Sequence, residues 1–432
     1  MNEYDSDRIY DLTKEIDYLK TTDLEKADCY ILNTCHIRNK STEKVYHDIG
    51  RVKKNFRNKK KPIVIVVGCV AQAEGEILLN KEKYIDAVIG PQSYHDINKI
   101  IINLEHKKSS QGSNFTEFEV IEKFDTLKKI KNSSNKISSF VTIQEGCDKF
   151  CKFCVVPYTR GPEFSRSINE IYDECSILVE NGAREITLLG QNVNAYNFNE
   201  KKLSDIVKKI SKIKNLYRIR YTTSHPIDFT DDLINVHAET HKLMPLIHLP
   251  VQSGSNQILK SMNRKHTVED YMQLIQKIKK KNPTIQFSSD FIIGYPGETD
   301  RDFEETLKLV EAVGFINSFS FMFSPRPGTP AAKLKHVDRE IAKERLIIFQ
   351  KFADKIKIKY KKSLFEKKTS VLFENKVGVN EFFGKDEYSN SVIVKSNVNL
   401  NGKIKKVLIT NGNQNTLFGE IISNLNQTNY AA

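Results

Sequence analysis

The stretch QEGCDKFCKFCVVPYTRG (residues 144–161) contains three cysteines within eight positions, Cys147, Cys151 and Cys154. A structural zinc site needs four protein ligands. The nearest further thiol, Cys175, lies in a segment with the apolar spacing of an amphipathic helix, where we expect a small core residue. Thiolates are the usual ligands of iron–sulfur clusters, and three of them leave one iron of a four-iron cluster open. The spacing therefore favours such a cluster, with a fourth ligand from outside the loop.

Composition narrows the class of protein. The chain has seven cysteines in 432 residues and begins with the polar segment MNEYDSDRIYDLTKEI. Secreted disulfide-rich domains are short and dense in cysteine, so we expect a cytoplasmic protein. No run approaches the ~18–20 apolar residues that span a bilayer, so no membrane contact is expected. The net charge of +13 favours a polyanionic partner, although solvated lysine-rich faces would give the same excess.

The middle region, residues 133–365, alternates strand-like runs with helical stretches. SINEIYDECSILVENG and DRDFEETLKLVEAVGF have apolar residues three and four apart, as helices packed on a sheet do. Six alternations imply parallel strands with right-handed crossovers, which we interpret as an incomplete (β/α)6 barrel. The three cysteines follow its first strand, at the edge where active-site loops gather. The six runs are SSFVTIQ (138–144), REITLLG (184–190), RIRYTT (218–223), PLIHLPVQ (245–252), IQFSSDFIIGYP (285–296) and SFSFMFSP (318–325).

The N-terminal region, residues 1–125, has the pattern of a small α/β domain. The apolar runs ADCYILNTC and PIVIVVGC each end in a cysteine at a strand-to-helix turn, and DAVIG predicts a third strand. The two terminal cysteines, Cys35 and Cys69, are expected to converge at the carboxyl edge as ligands. Inert packing is the alternative for buried cysteines, and we expect it for Cys29, which lies earlier on its strand.

The C-terminal region, residues 366–428, follows an amphipathic helix over about 338–365. KTSVLFEN, EFFGKDEYSNSVIVKS and GKIKKVLITNGNQNTLFGEII predict short strands with Gly and Asn turns, which together form a small β-barrel. Phe382, Phe383 and Tyr388 lie among lysines, which suits base stacking and phosphate contacts. Packing inside a small barrel is the equal alternative for each ring.

Six motifs in order resemble the methylthiotransferase family of radical S-adenosylmethionine (SAM) enzymes. HLPVQSGS and FCVVPYTRG favour its tRNA-modifying branch. The resemblance covers essentially the whole chain and implies a radical SAM core, an N-terminal methylthiotransferase domain and a C-terminal TRAM-like RNA-binding domain. The motifs are NTCHIRNKSTEKVYHDIGR, VVGCVAQAEGE, CKFCVVPYTRGPEFSR, LLGQNVNAY, HLPVQSGSNQILKSMNRKHT and DFIIGYPGET.

The resemblance implies two [4Fe-4S] clusters. Cys147, Cys151 and Cys154 would hold the cluster whose open iron binds SAM, and Cys35 and Cys69, with a third cysteine, an auxiliary cluster. One SAM would methylate sulfur at the auxiliary cluster, and another would yield the radical that takes hydrogen from adenine C2. Polar residues at later strand ends would line the SAM groove: Gln191, Asn192, Gln252, Ser253, Gly294 and Gly297.

The implied substrate is a tRNA whose adenosine beside the anticodon carries an isopentenyl group on N6. The product would be 2-methylthio-N6-isopentenyladenosine. The implied partners are this tRNA, an electron donor such as a flavodoxin or ferredoxin, and iron–sulfur and sulfur supply proteins, with the enzyme a monomer. The alternatives are a methylthiotransferase for threonylcarbamoyl-adenosine in tRNA or for a ribosomal protein, and a non-catalytic RNA-binding zinc protein, which would be colourless.

One part of the family pattern is missing. In the family the chain opens with a strand ending in Gly-Cys-Gln-Met-Asn, and here Met1 and Asn2 match the last two residues. We expect a misplaced start codon, with the first strand and the third cysteine of the auxiliary site encoded upstream. The alternative is loss of the auxiliary cluster, and such a chain would bind about four irons rather than eight and cleave SAM without methylthiolating tRNA.

Overall fold

A computed structural model describes residues 1–35, 41–106 and 112–422. Its first region confirms the predicted α/β domain. The elements are β1 (Cys29–Thr34), β2 (Ile63–Gly68), β3 (Ala87–Ile89), β4 (Ser113–Phe115), α1 (Asn2–Lys14), α2 (Ser41–Asn55), α3 (Cys69–Lys81), α4 (Ile97–Glu105) and α5 (Val120–Leu127). The parallel sheet has the order β1-β2-β3-β4, and alternate residues of β2 face two separate apolar cores, as the two-residue period of a strand requires. The three-residue β4 was not predicted.

The middle region confirms the incomplete parallel barrel. Its strands are β5 (Ser138–Thr142), β8 (Glu185–Leu189), β11 (Arg218–Thr222), β12 (Leu246–His248), β13 (Gln286–Ile293) and β14 (Asn317–Met322), and the two-residue strands are β6 (Gln144–Glu145), β7 (Phe164–Ser165), β9 (Asn197–Phe198) and β10 (Lys201–Lys202). Two three-stranded sheets, β11-β8-β5 and β12-β13-β14, adjoin through a single bridge between Ile219 and Leu243. Their shared core contains the fully buried Cys175, as predicted.

Helices cover the outside of this barrel. They are α6 (Val156–Arg160), α7 (Ile168–Glu180), α8 (Leu203–Ile210), α9 (Asp231–Glu239), α10 (Asn256–Ser261), α11 (Val268–Lys281), α12 (Asp300–Val313) and α13 (Arg339–Lys362). Two of them begin at capping boxes, in which the hydroxyls of Thr267 and Thr299 accept from the backbone N–H groups of Asp270 and Asp302. In return, the backbone N–H of each threonine donates to the aspartate carboxylate. The fourth barrel strand, β12, is shorter than predicted, since Pro250 follows it without a backbone donor.

The tail confirms the predicted small barrel. Its strands are β15 (Lys368–Gly378), β16 (Glu381–Lys385), β17 (Ser391–Lys395), β18 (Ile404–Gly412) and β19 (Thr416–Ile421), and they close in the order β15-β16-β17-β19-β18. The suggested stacking role of Phe382 is wrong, because its ring is buried in the barrel core. The ring of Tyr388 is held against the middle region, since its hydroxyl donates to the Thr284 carbonyl at 3.0 Å. Residues 423–428 lie outside the described range.

Two buried arginines fix the tail to the barrel. Arg218 donates to the carbonyls of Ser370 at 2.6 Å and Lys385 at 2.7 Å, and Arg220 donates to that of Asp386 at 2.8 Å. Guanidinium groups match such clustered acceptors with several directed donors. The amino ends of the barrel strands are therefore closed by the tail.

Candidate metal centre at the carboxyl edge of the barrel

The backbone of the cysteine loop is held by hydrogen bonds to two other segments and by one within the loop. Cys147 N donates to Gly161 O at 3.2 Å, Lys152 N to Met262 O at 3.0 Å, and Cys154 N to Cys151 O at 2.9 Å. The loop begins at Gly146, whose φ is +76° and where a Cβ atom would lie 1.8 Å from Pro162 O. Only glycine fits this approach, so the loop conformation depends on that residue.

The three thiols of this loop are free, with Cys151 buried and Cys147 and Cys154 partly buried. Burial raises the pKa of Cys147 to about 11 and that of Cys154 to about 12. Metal binding displaces such protons and returns the sulfur to the thiolate form. Arg264 lies beside Cys151, with Nη1 3.6 Å from its sulfur, and supplies a fixed positive charge. Three free thiols on one ordered loop fit an iron–sulfur cluster.

Polar side chains beside the loop fit a polar ligand. Lys149 and Asn192 both bind Asp228, at 2.8 and 2.7 Å, which fixes the side chain of Asn192. The amide oxygen of Asn192 and Nε2 of His225 are buried without a hydrogen-bond partner among the described residues. Burial and then Arg264 lower the pKa of His225 to about 2, so its ring is neutral. Unpaired buried polar atoms are uncommon, and these two offer contacts to a molecule such as SAM.

Of the other predicted groove residues, one lies at the cysteine loop and two follow the fourth barrel strand. Gln191 lies at the loop, since its Oε1 accepts from Gly146 N at 2.7 Å. Gln252 continues the fourth strand by a bridge to Phe291. Ser253 is buried, and its hydroxyl lies 3.4 Å from that of Thr306.

Gly294 and Gly297 occupy the turn after β13. Gly294 N donates to Glu298 Oε1 at 3.0 Å, and Arg345 Nη1 donates to the same carboxylate at 3.0 Å. Burial raises the pKa of Glu298 to about 7 despite these bonds. This turn is fixed by a buried ion pair whose partner on α13 lies almost fifty residues away.

The N-terminal cysteines lie side by side at one sheet edge. Thr34 and Gly68 are register partners in the parallel ladder, so Cys35 and Cys69 each follow a paired residue by one position. Cys29 is at the far end of β1, at the pair Cys29–Ile63, about 20 Å from Cys35 at the rise of a strand. Two thiols of the described residues, Cys35 and Cys69, therefore reach this edge.

Arg160 connects the two cysteine sites. It lies six residues past Cys154, and its side chain hydrogen-bonds the Cys69 sulfur and, at 2.9 Å, the Asp5 carboxylate. Although burial opposes it, the charges of Cys69, Asp5 and Glu145 hold the pKa of Arg160 well above its usual value. Burial lowers the pKa of Arg326, which follows the last barrel strand, and the charge of the neighbouring Cys35 opposes that shift. The two cysteine edges thus face each other across the domain boundary.

Several residues beside the cysteine edges are not predicted by the sequence patterns, namely Arg264, His225, Arg160 and the buried pair Lys123–Glu145. Arg160 stands inside the cysteine motif, which could have marked it as a site residue, but Lys123 and Glu145 pair across a domain boundary.

None of the helices in the described part of the chain has both the length and the apolar character that crossing a membrane requires.

Family models match both halves of this arrangement. The radical SAM superfamily model matches residues 141–310, and the model described as "Uncharacterized protein family UPF0004" matches residues 1–90. The chain is 58% identical over 427 residues to a tRNA-2-methylthio-N(6)-dimethylallyladenosine synthase of Pelagibacter ubique (strain HTCC1062), covering 98% of this chain and 95% of that protein. It is 48% identical to the protein of that name from Wolbachia pipientis subsp. Culex pipiens (strain wPip), with 97% of each covered.

Solved structures agree on the fold. A radical S-adenosylmethionine methyltransferase, TsrM, from Kitasatospora setae, with cobalamin and a [4Fe-4S] cluster bound, matches with a TM-score of 0.55. The match covers 74% of this chain and 68% of that chain at 11% sequence identity, so the likeness concerns the fold alone. These comparisons confirm the resemblance inferred from the motifs.

Proposed function

The chain belongs to the family of tRNA-2-methylthio-N(6)-dimethylallyladenosine synthases, and we propose that it attaches a methylthio group to C2 of an N6-isopentenylated adenosine beside the anticodon of tRNA. The product would be 2-methylthio-N6-isopentenyladenosine. The observation that carries the proposal is the free three-cysteine loop at the carboxyl edge of an incomplete parallel barrel, facing two strand-end cysteines of the N-terminal sheet.

Cys147, Cys151 and Cys154 would hold a [4Fe-4S] cluster with one iron open to SAM. When bound, this cluster would supply the electron that cleaves SAM and so gives the radical that takes hydrogen from adenine C2. The protein itself would position the cysteine loop and the bound SAM. Gly146 and the backbone bonds fix the loop, Arg264 sets a positive charge beside Cys151, and Asn192 and His225 present unpaired polar atoms to SAM.

Cys35 and Cys69 would ligate an auxiliary cluster, at which the sulfur to be transferred is held. Their shared register supports this proposal. Arg160 would donate a hydrogen bond to the Cys69 sulfur and hold that edge against the SAM site. The described residues supply two of the thiolates that such a cluster takes.

We further propose residues 1–125, 133–365 and 366–428 as the three functional units, with the tail as an RNA-binding module. An electron donor such as a flavodoxin or ferredoxin would reduce the clusters, and iron–sulfur and sulfur supply proteins would load them. The place of action would be the cytoplasm, where tRNA is modified. The net charge of +13 supports a polyanionic substrate.

The test uses anaerobically reconstituted protein and tRNA carrying isopentenylated adenosine. Cys147→Ala, Cys151→Ala and Cys154→Ala should each abolish 5′-deoxyadenosine formation and remove about four irons, while Cys175→Ala, at a buried core thiol, should keep both. Mass analysis of tRNA nucleosides should show the 2-methylthio product with the wild-type enzyme and with Cys175→Ala, and with none of the three loop variants. Undiminished 5′-deoxyadenosine from any loop variant would overturn the assignment, and colourless protein with zinc and no iron would favour the non-catalytic alternative.

A further inference from the structure

The interior of the barrel contains a cavity of about 350 Å³ that the cysteine sites do not account for. Residues of all six barrel strands line it, and Lys385 and Ser389 of the tail close its lower end. Its upper end includes His248 and Thr222, the last residues of their strands. Thr222 pairs with Leu189, the last residue of β8, so the cavity reaches the carboxyl ends of these two strands.

One wall of this cavity combines an aromatic face with a polar pair. Phe319, on the edge strand β14, is 51% exposed although it lines the cavity. Asp290 is its register partner on β13. The ring of His248 meets that of Phe319 edge-on at 5.9 Å between centroids. We call these three residues the lumen wall.

The polar pair of the lumen wall, His248 and Asp290, has a fixed ring orientation but retains capacity for further hydrogen bonds. His248 Nδ1 lies 3.0 Å from the Ser288 hydroxyl, which fixes the ring, while Nε2 lies 3.5 Å from Asp290 Oδ2. A charge-assisted hydrogen bond is shorter, about 2.7–2.9 Å. The Asp290 carboxylate is partly open to the cavity. On the opposite wall, Glu185 and Arg220 already neutralise each other at 2.9 Å.

An exposed aromatic face beside one acceptor and one imidazole fits a flat heterocycle with a donor–acceptor edge. Unstacked bases are held in this way, by stacking on aromatic side chains and hydrogen bonds to an edge. In adenine, the edge that carries the N6 hydrogen and the N7 acceptor is the one away from C2. Reading that edge would leave C2 free for the proposed reaction.

We propose that the lumen wall holds the target adenine, with Phe319 stacked on the base and Asp290 accepting from the N6 hydrogen while His248 donates to N7. The inference rests on the proposed function for the identity of the RNA. An adenine that carries one N6 substituent keeps one N6 hydrogen, so the wall accepts the isopentenylated base. It rejects guanine, whose O6 would face the Asp290 carboxylate.

The test is a binding experiment with the full chain and anticodon stem-loop RNAs that differ at the target position. One carries N6-isopentenyladenosine, one is abasic, and one carries a purine without an exocyclic amine. The wild-type protein should prefer the first over the abasic RNA by about tenfold or more, as loss of a stacked base implies. Phe319→Leu should lower this preference about tenfold and leave the abasic RNA affinity unchanged.

Asp290→Asn should lower the preference for isopentenyladenosine over the amine-free purine about tenfold, because a charged acceptor is lost. The matched controls are Phe303→Leu and Asp232→Asn, which change the same residue types on the outer helices α12 and α9 and should keep both preferences. A preference that survives Phe319→Leu would overturn the lumen wall.

A wild-type preference near one, with methylthiolation intact, would overturn the inference and leave the proposed function standing. The reverse result, a strong preference with fully loaded enzyme that leaves the RNA unmodified, would overturn the proposed function and leave the lumen wall as a base-binding site.

Discussion

His237 illustrates how burial alone sets the charge of a side chain in this fold. It lies on the outer side of the third barrel strand, where its Nε2 is 2.6 Å from the hydroxyl of Tyr221 and its Nδ1 is buried without a partner among the described residues. Burial lowers the pKa of His237 to about 3. Between about pH 6.5 and about pH 3, the ring is therefore neutral in the folded protein but protonated in the unfolded chain.

Acid should destabilise the protein through this histidine. Between about pH 6.5 and pH 3 the unfolded chain binds a proton that the folded chain does not, so the free energy of unfolding falls as pH falls. From pH 6.5 to pH 5 the loss should be about 1.5 kcal/mol. Denaturant unfolding of the wild type and His237→Gln across this range should show the steeper decline in the wild type, and parallel curves would contradict the prediction.

At the same scale, residue identity and sequence spacing predict some positions and not others. Cys175 was predicted as core because its helix has an apolar stripe, and it is fully buried. Arg264 and Cys151 meet across 113 positions, and Asp5 and Arg160 across 155. A charge says nothing about its partner at such separations, since the pairing is decided by how the helices and loops pack.

The site depends on the conformation of the cysteine loop. Gly146 is the position in this loop where a side chain has no space. Gly314 has a similar φ, +68°, but a Cβ added there would have no neighbouring atom within 4 Å, whereas a Cβ at Gly146 would overlap Pro162 O. The two glycines therefore separate the cost of the backbone conformation from the cost of the overlap.

Gly314→Ala should cost about 1–2 kcal/mol of stability and leave iron binding unchanged. Gly146→Ala should have the same backbone cost and should also displace the loop, so that the protein folds but loses iron and SAM cleavage. Iron content and 5′-deoxyadenosine formation, measured beside thermal unfolding, test this. Equal iron in the two variants would show that the loop tolerates a side chain at Gly146.

Element boundaries followed the sequence where local chemistry decides them. The long β-branched runs gave β1 and β2 within one or two residues at each end. The fourth barrel strand was predicted too long, because apolar residues continue past Pro250 while the ladder ends at His248. The three-residue strand Ser113–Phe115 is too short to show a period, and it exists because β3 offers an open edge.

On the scale of the whole molecule, the tail is a fixed part of the enzyme. Arg218 and Arg220 bind tail carbonyls, and Tyr388 binds the barrel in return. A tail held in one position could contact phosphates without first losing conformational entropy on ordering. Lys405 and Lys406 are exposed on β18, and neither forms a salt bridge within the described part of the chain, so they are suited to such contacts.

Binding of tRNA should therefore weaken with salt, and part of that dependence should come from the tail. Each phosphate contact contributes about 0.7–0.9 to the slope of log affinity against log salt through counterion release. The Lys405→Gln/Lys406→Gln double variant should reduce the slope by about 1.4–1.8. The control Lys53→Gln/Lys59→Gln removes two exposed lysines of the N-terminal domain that already pair with Glu82 and Glu25 at 2.7 and 2.6 Å, and it should leave the slope nearly unchanged. An unaltered slope in the tail variant would mean that the tail supports the barrel without contacting RNA. The reason is that loss of a phosphate contact must lower the slope of log affinity against log salt.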